Sequence, residues 1–208
     1  MHPLTLIDYA GSHSTSPPTP SPNARWPYLK LTLLIITLLF SSPALTTGFD
    51  TREYTLKAVF LERFTRFIDW PNDKSAGEKT TPFVIGIMGN PDFSALLREI
   101  YQNQKIQGKN VIVKDLDNVE MLQNTHLLFI ANVSDSALKN VLKQTQNTSI
   151  LTISDTEGFA ERGIMINFFM SRKQKIRFEI NEQAIKQSDL YISYKLLSVA
   201  KIVGANSK

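Results

Sequence analysis

Four short apolar runs separated by helix-length segments constrain this chain more than any other feature. They read FVIGIM at 83–88, VIVKDL at 111–116, HLLFIA at 126–131 and ILTIS at 150–154. Continuous apolar runs of this length suit strands covered on both faces, as in parallel sheets, whereas a half-exposed strand alternates. Between them lie helix signals. Gly89-Asn90-Pro91-Asp92 opens a helix through Tyr101, with Pro91 or Asp92 in its first turn. Residues 118–122 make a turn or short helix, and Ser134 or Asp135 caps a helix through Gln144. Residues 155–162 form a short turn closed by Gly163, and two further strands, 164–170 and 175–180, form a hairpin. In the second, Ile176, Phe178 and Ile180 face one way and Arg177 and Glu179 the other, as an exposed pair.

Before the first run, residues 54–70 carry Leu56, Val59, Phe60, Phe64, Phe67 and Ile68 at helical spacing, and Pro71 ends that helix ahead of a polar loop. A last helix is expected over 189–203. Strands alternating with helices predict an α/β fold: a three-layer sandwich, with a mostly parallel central sheet, an antiparallel C-terminal hairpin and helices on both faces.

The domain starts near residue 45. Upstream, residues 12–27 (SHSTSPPTPSPNARWP) are too rich in proline and hydroxyls to pack, so 1–30 reads as a disordered leader with a basic end at Arg25 and Lys30. Residues 31–40 (LTLLIITLLF) are too short to span a bilayer and fit the apolar core of a signal peptide. Ser42 and Ala44 make a small-x-small cleavage pattern, so 31–44 is assigned to the signal core and cut region, with cleavage after Ala44 and 45–208 as one exported domain. Retention of the segment as an uncleaved anchor is one alternative; a buried core helix is the other, disfavoured because the segment is apolar all round and flanked by the proline-rich leader.

The chain has no cysteine, which excludes disulfides, thiol nucleophiles and thiolate metal sites. Its 23 basic and 19 acidic side chains are scattered, without the basic stripe that nucleic-acid binding needs, and 172–175 (RKQK) reads as a solvated hairpin tip. His126 is the one histidine after residue 44 and has no metal or triad partner nearby in sequence. Neither a Gly-rich phosphate loop nor a G-x-S-x-G elbow is present. No cofactor, metal or catalytic residue is assigned.

Two places remain open. The carboxyl edge of a parallel sheet is where ligands bind, and Gly89, Asn90, Ser154, Asp155, Glu157 and Arg162 fall there. Asp155 and Glu157 could pair for acid–base work, but the capping of a short turn by Ser154 or Asp155, with Gly163 ending it, is the favoured reading. The closing segment carries apolar groups on more than one face. Tyr191, Tyr194, Leu196 and Leu197 either form a partner surface or lie over the hairpin.

Several segments carry a family resemblance: LKAVF at 56–60 with FIDWP at 67–71, FVIGI at 83–87 with Gly89, IQGK at 106–109 and LLFI at 127–130. ILTISD at 150–155 with Gly158-Phe159-Ala160, GIMINF at 163–168, IRFEIN at 176–181, and ISYKLL at 192–197 with Ala200 complete the set. In order and spacing, over about residues 54–202, the chain resembles the YfiR family of periplasmic regulators that repress a membrane-bound diguanylate cyclase. The resemblance implies a non-enzymatic protein that binds the periplasmic part of a cyclase or another membrane sensor and holds cyclic-di-GMP synthesis down. It also implies sequestration by an outer-membrane OmpA-like lipoprotein, and a homodimer. Family members with cysteines use disulfides, and this chain departs from them in having none. A periplasmic small-ligand binding protein is the alternative, and a hydrolase using Asp155 and Glu157 ranks last.

Overall fold

The computed structural model describes residues 50–70 and 81–204, which lie within one compact unit, Gly48–Lys208. The leader, the apolar core at 31–40, the cut after Ala44 and most of the polar loop after Pro71 lie outside the described residues.

The first helix, α1 (Thr51–Thr65), is capped by Asp50, whose carboxylate accepts from the backbone amides of Arg52 and Glu53. Then follow β1 (Ile68–Asp69), β2 (Phe83–Met88), α2 (Pro91–Tyr101), β3 (Lys105–Ile106), β4 (Lys109–Asp115) and a 3-10 turn at Val119–Met121. The chain continues through β5 (Leu127–Ile130), α3 (Asp135–Thr145), β6 (Leu151–Ser154), β7 (Ile166–Met170) and β8 (Ile176–Asn181). It closes with α4 (Glu182–Lys186), β9 (Tyr191–Ile192), α5 (Tyr194–Leu197) and β10 (Lys201–Val203).

The main sheet runs β10-β8-β7-β6-β5-β2-β4-β3. The pairs β2–β4, β2–β5, β5–β6, β6–β7 and β8–β10 are parallel, and β7–β8 and β3–β4 are antiparallel. Every residue of β2, β5 and β6 is buried, because helices cover both faces. The period of two divides each strand between two cores. Leu127 and Phe129 point into a core with Phe83, Ile85, Leu151 and Ile153, closed by α1 and α2. Leu128 and Ile130 point into the other, closed by Leu138 and Val141 of α3. This is the expected three-layer α/β sandwich.

Three local expectations are corrected. First, α1 stops at Thr65 rather than Trp70, and Ile68–Asp69 instead pairs antiparallel with β9. Its buried side is Lys57, Ala58, Leu61, Phe64 and Thr65, while Leu56 and Val59 are exposed. The apolar residues of this helix outnumber one face, and an ion pair of Lys57 with the sheet selects which face goes in.

Second, no helix runs from 189 to 203. Ser193 starts a one-turn helix by accepting from the Lys195 amide. The flanking residues join strands on either side, one to β1 and one to β8. The apolar groups covered several faces because they do not share one helix. Third, β10 lies outside β8, so the hairpin is not the sheet edge. Glu179 is therefore buried rather than an exposed partner of Arg177.

The principal knob of α1 is Phe64, which stacks on Phe168 at 5.7 Å and meets Phe178 edge-on at 4.9 Å. Phe64→Ala should therefore lower unfolding free energy by about 3–5 kcal/mol in urea titration, the cost of an aromatic cavity in a packed core.

Candidate functional site

The N-terminal end of α1 lies against the carboxyl edge of the sheet. Tyr54 and Lys57, one turn apart, both reach Asp155 at the end of β6. Lys57 Nζ stands 2.6 Å from Asp155 Oδ2 and 2.6 Å from Glu53 Oε1, and 4.1 Å from the centre of the Tyr54 ring. The Lys57 side chain is 5% exposed and that of Asp155 12%, so this is an ion pair largely removed from water. The Tyr54 hydroxyl donates to Asp155 Oδ2 at 2.8 Å. Burial, then the negative charge of Asp155, pushes the Tyr54 phenol above its ordinary pKa, while a hydrogen bond from Asn90 opposes the shift.

Tyr54 thus bridges two turns that the sequence singles out separately, Asn90 after β2 and Asp155 after β6. Asn90 also caps α2, its side-chain oxygen accepting from the Phe93 amide at 3.0 Å. Gly89 sits at φ 81°, and a Cβ there would approach Val133 at 3.3 Å and Ala131 at 3.6 Å. Small apolar side chains from the turn after β5 therefore close the crevice beside it. Ser154 is fully buried, and its hydroxyl accepts from the Thr156 amide at 3.1 Å, the capping role. Arg162 turns away toward Asp135 at 2.9 Å, with its guanidinium over Phe159. Of the six edge residues, Asn90 and Asp155 share one network, and Glu157 lines a cleft with Asp155.

That cleft, 460 Å³ in volume, is bordered by the turn after β6, by β7, and by Glu179 and Lys201 of the two strands beyond. Lys201 Nζ binds Glu179 Oε2 at 2.9 Å, and this hydrogen bond holds the Lys201 ammonium above its ordinary pKa. Tyr54, Lys57, Asn167 and Glu179 were not legible as site residues. The available signal was a lysine, Lys57, on the side of α1 that carries Ala58, Leu61 and Phe64, where a cation needs a buried partner.

A second surface lies at the closing segment. Tyr191 is 69% exposed and Tyr194 80%. Leu196 points into the core and Leu197 is half-buried beside it. A groove of 560 Å³ runs between Tyr191, Leu197 and the end of α4. His126 is structural: its Nδ1 accepts from the Val84 amide at 3.0 Å, and its ring stacks on Phe83. Among the described residues, no group of three or more His, Cys, Asp or Glu side chains is placed to hold a metal ion.

Compared with known proteins, residues 54–201 match the model of a family described as YfiR/HmsC-like. No curated protein matches the chain.

The edge network has a measurable signature. Asp155→Asn should destabilise the fold by about 3 kcal/mol, the low end for a broken buried pair because Glu53 still faces Lys57. Lys57→Met combined with Asp155→Asn should cost less than the sum of the single changes, with a coupling of about 1–3 kcal/mol. Urea denaturation of the four proteins measures this, and strictly additive costs would show the pair to be uncoupled.

Proposed function

The chain belongs to the YfiR/HmsC-like family, and from that membership we propose that its domain is a non-enzymatic periplasmic regulator. It binds and represses the periplasmic part of a membrane signalling protein, a diguanylate cyclase. The match over residues 54–201 is the single observation that carries this reading. Three features support it. The apolar run at 31–40 reads as an export signal. Among the described residues, no helix is long and apolar enough to cross a membrane. At the sheet edge, Asp155 is occupied by an ammonium and a phenol, which suits an anchor and not a proton-transfer group.

The contact surface we assign is Tyr191 and Tyr194, with Leu197 beside them and Leu196 holding the segment from beneath. Aromatic side chains give large contact area at little entropic cost and are enriched where proteins bind one another. A homodimer, and an outer-membrane OmpA-like lipoprotein that withdraws the regulator, complete the proposed partners.

The test is co-purification from detergent-solubilised membranes. A protein carrying a diguanylate cyclase domain should be retained. Tyr194→Glu should reduce its retention at least tenfold, about 1.4 kcal/mol, with the thermal midpoint unchanged. Retention of no membrane signalling protein would overturn the reading, and undiminished retention by the variant would move the contact elsewhere.

A further inference from the structure

The β7–β8 hairpin reaches past the end of its neighbour in the sheet. Ser154, the last residue of β6, pairs with Asn167, and β7 then continues through 168–170. At about 3.3 Å per residue, the foot of the turn stands ~10 Å beyond the end of β6. The turn itself is ordered. The Ser171 amide donates to the Lys175 carbonyl at 2.9 Å and the Gln174 amide to the Ser171 carbonyl at 2.9 Å. Ser171 Oγ accepts from the Lys175 amide at 3.2 Å. This fixed tip exposes Arg172, Lys173 and Lys175, which have no ion pair among the described residues.

Helix α1 runs toward the same tip. Phe60 and Phe64 pack on Phe168 and Phe178 of the hairpin. Two turns before Phe60, Glu53 borders a small pocket with Met170 and Ile176 at the foot of the turn. The first turn of α1 therefore brings Arg52, exposed and also without an ion pair among the described residues, to the cations at this end. Exposed apolar groups accompany them: Met170 beside the tip, and Leu56 on α1 one turn before Phe60. The nearby acids are engaged or set back. Glu53 faces Lys57, Asp50 caps α1, and Glu157 and Glu161 sit on the turn that follows β6, short of the tip.

Cations flanked by exposed apolar side chains match anionic headgroups lying over acyl chains. The point of chain entry favours a bilayer over an acidic protein. Asp50 stands at this end of the domain, ten residues after the apolar run 31–40. Ten residues span at most about 36 Å, so a domain still joined to that run keeps this end within reach of the bilayer.

We propose that the hairpin tip, with the first turns of α1, docks on an anionic phospholipid surface. Arg172, Lys173 and Lys175 meet the headgroup phosphates, and Met170 enters the headgroup layer. The proposal rests on export of the domain and not on the identity of its protein partner. The contact assigned to Tyr191 and Tyr194 stays free, because β9 pairs with β1 beyond the opposite end of α1.

Co-sedimentation of residues 45–208, which contain the whole compact unit, with lipid vesicles tests it. At low salt the domain should partition at least tenfold better onto phosphatidylglycerol–phosphatidylethanolamine vesicles than onto phosphatidylcholine, and high salt should release it. Each basic side chain at such a surface contributes about fivefold in partitioning. Arg172→Gln/Lys173→Gln/Lys175→Gln should therefore lower binding at least twentyfold, with the thermal midpoint unchanged. Lys105→Gln/Lys139→Gln/Lys143→Gln removes the same charge from exposed positions elsewhere and should leave binding within about threefold. Absence of binding to the anionic vesicles, equal binding to both kinds, or equal losses in the two triple variants would overturn the proposal. So would vesicle binding unchanged in the tip variant together with loss of the solubilised membrane protein, which would give the tip to an acidic protein surface. The vesicles hold no protein, so their failure to bind is distinct from failure of the partner reading.

Discussion

Burial of the Lys57 ammonium against Asp155 organises the carboxyl edge of the sheet. A lone charge in that position would be prohibitively costly, so the pair forms only when α1 lies across the end of β6. Once it lies there, Ala58, Leu61 and Phe64 face the sheet, and Tyr54 connects Asp155 to the turn at Asn90. The pair alone adds little net stability, since desolvation offsets most of its attraction. Its effect is geometric, choosing one face of a helix that is apolar on several.

The central strands were legible because two-sided burial writes itself as unbroken apolar sequence. Phe83–Met88 and Leu127–Ile130 read as strands from composition alone, and the structure places them mid-sheet. What escaped depended on partners distant in sequence. Ile68–Asp69 looked like the end of a helix because its pairing with Tyr191–Ile192 is invisible locally. Glu179 looked exposed because alternation does not report that another strand lies beyond. At the site, the six edge residues have in common in the sequence only a place at or after strand ends. Topology brings Asn90 and Asp155 together through Tyr54 and sends Arg162 to the start of α3. The orphaned oxygen of Asn167 belongs to a residue that reads as an ordinary strand position.

Two surfaces remain with chemistry to spare, and they differ in kind. The edge cleft is polar, acidic and concave, while the closing segment presents exposed tyrosines beside a half-buried leucine. Both touch the C-terminal strands, since Lys201 of β10 borders the cleft and Tyr191 begins the segment leading into it.

The claim underlying this account is that α1 belongs to the same cooperative unit as the sheet, held by Ala58, Leu61 and Phe64 on the face that its buried anchor selects. Native-state hydrogen exchange measures that directly. The account predicts that the amides of residues 58–65 open with a free energy close to that of β5 and β6. Exchange of those amides several orders of magnitude faster, with the strands still protected, would contradict it.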